Sequence, residues 1–258
     1  MSGGQVVRAS LKNWYRDHQI IEAQTRLARE VATVLGRHPA VWAYDLGNEN
    51  SNCVVPPSRA SGLAWLKTIA GAIRAVDSAH PITLGLHMED LEEDRHLGPG
   101  EAAEVCDFLC MHGYPVYAEW AYSPTDAMIL PFLGLMTRWL GGRDVLFEEF
   151  GAPTIPRHLG GGGPAAGSSR VPSLDEEETV LFTRRALRAL QRSGLLGGCS
   201  SAMAITIQRS GASRRWTRRS LSAISGSGEV TTRPSLRSWR SKGWRAWSGT
   251  IRLMVSIG

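Results

Sequence analysis

The chain has 258 residues, 43% hydrophobic and 21% charged, proportions ordinary for a globular protein and far from those of a disordered one. Its net charge of +5 conceals a break: residues 1–198 carry 18 Lys+Arg against 23 Asp+Glu, whereas residues 199–258 carry 11 against one. No apolar run approaches the roughly 20 residues a membrane span needs, the first residues lack the pattern of a secretory leader, and four cysteines do not make a disulfide scaffold. The default expectation is therefore a cytoplasmic, reducing compartment with no membrane partner.

Residues 20–36 place Ile21, Ala28, Val31, Val34 and Leu35 at helical spacing and end on Gly36, a natural C-cap. His38-Pro39 breaks this helix, and Val41 to Gly47 reads as a short buried strand. A second helix is expected from Ala60 to Asp77, with Leu63, Leu66, Ile69, Ala70 and Ile73 on one face. Pro81 to His87 is the next strand. The acidic run Glu89 to Asp94 lacks the spacing and turn glycine of a calcium loop, so it reads as a solvated loop face before a short helix near Glu101.

Phe108 to His112 is a third strand, and Cys106 and Cys110 beside it suit burial better than metal binding. A helix within residues 125–140 and a strand over Asp144 to Phe150 follow. The glycine-rich stretch 160–167 has no Lys-Ser/Thr after it and reads as a flexible loop, not a phosphate cradle. Asp175 to Arg192 is a strong helix, with Ser173 as the expected N-cap and Glu176 completing a capping box. Strands alternating with helices imply a parallel α/β architecture, either an open sheet or a barrel, and the pattern does not separate the two.

Polar residues follow these strands at one end: Asn48 and Glu49, His87, His112 and Tyr114, Glu148 and Glu149. In a parallel barrel all those ends meet at one mouth, where active sites are built. Two carboxylates converging from separate strands are what glycoside hydrolysis requires, one to protonate the leaving oxygen and one to attack or to activate water.

Three segments, H-P-A-V-W-A-Y-D-L-G-N-E-N (38–50), D-F-L-C-M-H-G-Y-P (107–115) and D-V-L-F-E-E-F-G (144–151), resemble the fourth-, sixth- and seventh-strand motifs of clan A glycoside hydrolases, family 5 in particular. The resemblance implies a partial (β/α)8 TIM barrel with strands 4–7 recognisable and a retaining, cellulase- or mannanase-like glycosidase acting on β-linked sugars. It maps the acid/base onto Glu49, and the nucleophile onto Glu149 in preference to Glu148. Asn48 is then expected on the substrate's 2-hydroxyl, His112 and Tyr114 at the sugar site, and Tyr114 as a hydrogen-bond donor to Glu149. His87 and Trp120 are further substrate-binding candidates, with Tyr117 and Tyr122 near Trp120. No metal or cofactor is expected, and the implied partner is a carbohydrate. Glu49 is expected to have a raised pKa and Glu149 to be ionised, with the carboxyl groups roughly 5–5.5 Å apart.

Two departures from the family pattern stand out. Only 40 residues precede the Asn-Glu strand, so the first barrel units are expected to be missing by N-terminal truncation. After Gly194 to Gly198, where the eighth strand is due, the chain passes into a tail with 13 Ser, 10 Arg and 4 Trp. Residues 1–198 are thus expected to form the partial barrel domain. Residues 199–258 are expected to be a basic tail outside the family pattern, produced by a shift of reading frame. Binding of nucleic acid by that tail is the functional alternative, and no nucleic-acid motif accompanies the charge. For the whole chain, the alternative to an enzyme is a barrel remnant that binds carbohydrate without cleaving it.

Overall fold

The computed structural model describes residues 13–156, 158, 172–200 and 253–256, and the glycine-rich stretch 160–167 and residues 201–252 of the tail lie outside them. Helix α1 (His18–Leu35) starts where the Asp17 carboxylate accepts from the backbone N–H groups of Gln19 and Ile20. Its buried Ala28 and Ala32 let it lie close against α3 (Arg59–Arg74), and Trp65 Nε1 donates across to Gln24. Between these helices come strand β1 (Val41–Asn48) and the single turn α2 (Asn50–Cys53). Strand β2 (Ile82–Leu86), the short helices α4 (Glu89–Glu92) and α5 (Pro99–Ala103), and strand β3 (Leu109–Gly113) follow. A 3-10 turn at Pro115–Tyr117 leads to α6 (Ile129–Gly141), β4 (Val145–Phe150), α7 (Glu176–Arg192), β5 (Gly197–Ser200) and β6 (Leu253–Ser256).

All six strands are parallel, in the order β5-β4-β3-β2-β1-β6, and the sheet curls into a half-barrel flanked by helices. The fold is a partial (β/α)8 barrel. β2 and β3 are buried along their whole length, as strands covered on both faces must be. One face packs on the helices through Tyr44, Leu46, Leu109, Met111, Val145 and Phe147. Alternate residues build a smaller cluster on the other face, from Ala43, Phe108, Cys110 and Leu146 with Trp42, Leu196 and Met254 against it. Two residues further along three of these strands, the apolar positions give way to Asp45, His112 and Glu148. The polar floor of the site therefore continues the inner face of the curl.

The strict alternation is interrupted where it matters. Met111 pairs with Phe147 but His112 with Glu149, and Phe147 pairs with Gly198 but Phe150 with Ser200, so β4 carries an extra residue at this point. Similarly, Asp45 pairs with Thr83 and Asn48 with Gly85, an extra residue in β1 just before Glu49. Such bulges re-aim the side chains around them, and here one precedes or contains each of the two family-motif glutamates.

The helices and first four strands lie within a few residues of their expected bounds. The cap of α7 does not: Asp175, not Ser173, accepts from the N–H of Glu178, while the Glu178 carboxylate accepts from the N–H of Asp175. Asp175 and Glu178 have the same spacing as Ser173 and Glu176, and the charged cap takes the favourable end of the helix dipole. The acidic run also differs from a solvated loop. It forms α4, and Asp90 turns inward to accept from Ser51 Oγ and the His87 N–H. A strand does follow Gly194, since Gly197–Ser200 pairs with β4 across the point where the composition changes. At the other flank, Leu253–Ser256 from the far end of the chain pairs beside β1, where no element was expected. Among the described residues the cysteines are free, with Cys106 and Cys110 buried, and no helix is long and apolar enough to cross a membrane.

Candidate active site

The site forms where β1, β3 and β4 end. β1 delivers Glu49 through a tight corner: its backbone sits at φ 49° and ψ 47°, the left-handed region that non-glycine residues seldom occupy. The preceding Gly47 is needed for space, because a Cβ there would collide with the side-chain amide of Asn50. Asn52 Nδ2 donates to Glu49 Oε2 at 3.0 Å, which fixes one carboxylate oxygen and leaves Oε1 facing inward.

At the centre lies His112, whose side chain is 1% exposed. Its Nδ1 is 3.1 Å from Glu49 Oε1 and 3.9 Å from Glu149 Oε2, and its Nε2 is 3.5 Å from Glu148 Oε2. Tyr114 OH donates to Glu149 Oε2 at 2.7 Å, the expected orienting contact. Burial by itself pulls the imidazole toward neutrality, but hydrogen bonds to Glu148 and Glu49 and the charge of Glu149 push it up to about 10. That direction favours the charged form of a ring set beside three glutamates. In return, its hydrogen bond holds Glu49 below the usual carboxylate range, against the effect of burial. This direction is opposite to the raised pKa expected for Glu49.

Asp45, an acid in the middle of an apolar strand, belongs to the same floor and was not singled out from the sequence. It is 3% exposed, and its Oδ1 accepts from the N–H groups of Gly47 and Gly85 while Ser256 Oγ donates to Oδ2 at 3.2 Å. Burial and the nearby charge of Glu148 push its pKa up to about 7, despite those hydrogen bonds. A carboxyl whose folded pKa is raised stabilises the fold fully below its unfolded value, and that stabilisation is lost as pH rises through the folded value. Asp45→Asn keeps an acceptor for both glycine N–H groups and cannot ionise. We expect it to raise Tm at pH 8, by about 2–4 °C per kcal/mol recovered in a domain of this size, and to change Tm far less at pH 5. Thermal melts at the two pH values decide this, and an equal shift at both would refute it.

The other candidate residues divide. Asn48 is exposed at the end of β1, beside Glu49. His87 is buried, with its Nε2 2.8 Å from Ser51 Oγ and 3.5 Å from Asp90 Oδ1. Trp120 is half exposed, donates through Nε1 to Glu92 at 2.7 Å and packs edge-on against Phe132. The groove there is lined by Leu91, Glu92, Trp120, Phe132, Leu133 and Met136 and includes neither catalytic candidate. Tyr117 packs on Tyr114, and Tyr122 stands almost fully exposed.

No protein-family model matches the chain, and its sequence matches no curated protein. Solved structures do resemble it, and they are glycoside hydrolases. An exo-β-1,4-mannosidase from Opitutaceae bacterium strain TAV5 superposes with a TM-score of 0.58 at 26% identity, covering 75% of this chain and 34% of that one. A GH5_18 protein from Streptomyces cattleya, in complexes with Manβ1-4GlcNAc and with GlcNAc, superposes at 0.56 with 16% and 17% identity, covering 70% of this chain and 43% of that one. The chain thus spans between a third and a half of the length of these proteins.

Proposed function

We propose that the chain carries the catalytic half of a retaining β-glycoside hydrolase of the family 5 type, with Glu149 as nucleophile and Glu49 as acid/base. The observation that carries this reading is the approach of the two carboxylates, whose facing oxygens lie within 4.8 Å of each other and of His112 Nδ1. So close an approach suits direct attack on the sugar, for which carboxyl groups about 5–5.5 Å apart are usual.

In this mechanism a Glu149 oxygen attacks the anomeric carbon as Glu49 protonates the departing glycosidic oxygen. Tyr114 holds Oε2 of the nucleophile. His112 Nδ1, 3.1 Å from Glu49 Oε1, is placed to share with Glu49 the proton that the leaving oxygen takes. Once Glu149 is esterified its charge is gone, and Glu49, again a carboxylate, takes a proton from the water that releases the sugar. Asn48, exposed beside Glu49, is placed for the 2-hydroxyl, whose hydrogen bond strengthens in the transition state. His87 supports the corner and touches no sugar in this reading, and Trp120 serves as a platform only for a sugar reaching the α4–α6 groove.

The mannoside-linked names of the similar structures make an aryl β-mannoside the first substrate to try. A 2-deoxy-2-fluoro-β-mannosyl probe is expected to label Glu149, with the site read by peptide mass spectrometry. Label on Glu49 or Glu148 would overturn the assignment, and product released as the α-anomer would overturn retention. The partial length favours one competing reading, a barrel that binds sugar without turnover. It predicts saturable oligosaccharide binding with neither label nor product.

A further inference from the structure

We propose that Glu49, His112 and Glu149 form a binding site for one divalent transition-metal ion, Zn2+ above all, and that the ion blocks the catalytic centre. One ligand atom from each residue lies within 4.8 Å of the other two. His112 Nδ1 is 3.1 Å from Glu49 Oε1 and 3.9 Å from Glu149 Oε2. Tetrahedral zinc with bonds of about 2.0–2.2 Å sets its ligands roughly 3.3–3.6 Å apart. The two spacings to His112 bracket that value, and the spacing between the glutamate oxygens lies within 4.8 Å, so side-chain rotation must close the triangle.

Proximity alone would be a weak argument, and the outer contacts make the stronger one. Metal-binding side chains are held by a second layer of hydrogen bonds, which fixes the histidine tautomer and aims each carboxylate. All three residues have such a partner here. Glu148 Oε2 stands 3.5 Å from His112 Nε2, a partner for that nitrogen when Nδ1 takes the ion. Asn52 occupies Glu49 Oε2 and leaves Oε1 for the ion. Tyr114 donates to Glu149 Oε2. Three protein ligands on a buried histidine leave a fourth position open to water on the mouth side.

An imidazole with two carboxylates suits zinc, copper or nickel, whereas Mg2+ and Ca2+ prefer all-oxygen shells. The same carboxylates that keep a proton on the ring attract an ion of twice its charge. Bound there, the ion ties up the attacking oxygen and the acid/base together, so it excludes turnover. Binding itself stands on the geometry and does not depend on the hydrolytic reading.

The test is calorimetric titration of Zn2+ into the full chain, freed of metal by a chelator, with Cys53→Ser and Cys199→Ser introduced because both thiols are exposed. One ion per chain is expected, and Mg2+ is expected to give no saturable heat. Co2+ in place of Zn2+ is expected to show the intense visible bands of a four-coordinate ion. Glu148→Gln, which removes only the outer contact, is expected to weaken Zn2+ about 10–100-fold, and Glu49→Gln to do at least as much. His112→Ala is expected to abolish binding, and the two glutamine variants keep the test decisive if that variant does not fold. Affinity unchanged in Glu49→Gln and Glu148→Gln, or loss of all binding once the cysteines are replaced, would overturn the proposal. A chain that binds Zn2+ as described yet hydrolyses nothing would leave the metal site standing and refute the glycosidase instead.

Discussion

Glu149→Ala is expected to lower kcat on an aryl β-glycoside by about 10⁵-fold or more, the scale of losing a covalent nucleophile. Glu49→Ala is expected to cost roughly 10²–10⁴-fold, the scale of losing an acid/base, and less where the leaving group departs without protonation. Azide separates the two roles. In the space left by Glu149 it attacks the substrate directly and gives the α-glycosyl azide. In the space left by Glu49 it attacks the glycosyl-enzyme and gives the β-azide. Product anomers read by NMR decide the assignment, and the same azide from both variants would refute it. Glu148→Ala is the informative control, since Glu148 and Glu149 are adjacent and both face His112. Only Glu149 has the Tyr114 hydroxyl on it, so Glu148→Ala is expected to yield no glycosyl azide at all.

His112→Ala is expected to be the most destabilising change at the site, by about 2–3 kcal/mol near neutral pH, because it leaves half-buried carboxylates without their cation, short of the cost for a fully buried pair. In a domain of this size that lowers Tm by about 2–4 °C for each kcal/mol. A histidine whose folded pKa is raised to about 10 contributes stability that is complete below its unfolded value of about 6.5 and is lost as pH rises through about 10. The gap in Tm between the two proteins should therefore narrow steadily from pH 6.5 toward pH 10. A gap that stays constant would show His112 acting through packing alone. Activity carries a second signature: with the proton stored on the His112–Glu49 pair, removing the imidazole shifts the alkaline limb of the kcat/KM profile to lower pH. That limb reports the coupled group and not Glu49 alone.

The sequence disclosed the elements whose apolar residues repeat with a clear period. β1 to β4 and the longer helices were legible because each buries a continuous stripe. Glu49 and Glu149 were legible because a family motif quotes them. Their meeting was legible only through that motif, since a strict two-residue alternation would send Glu148 inward and Glu149 outward. The irregularities in β1 and β4 bring both to His112, and a bulge leaves no mark in residue type. Asp45 had a signal: a lone carboxylate in the middle of a strand that is buried from Ala43 to Gly47 needs partners or a proton. The burial of His87 against Ser51 and Asp90 had no sign in its position at a strand end. Asp90 was hidden in an acidic run, where composition argues for solvent and a single inward rotamer decides otherwise. β6 was illegible for a different reason. Leu253–Ser256 is four residues long and becomes a strand only by pairing with β1, more than two hundred positions away.

That pairing has a consequence for how the protein is made. β1 leaves the ribosome well ahead of the strand that covers its free edge, which lies more than two hundred residues further along the chain. At about 5–20 residues per second, the open flank of β1 waits tens of seconds for its partner. During that interval the hydrogen-bonding groups along Val41–Asp45 are available to any extended segment nearby, including those of other nascent chains on the same message.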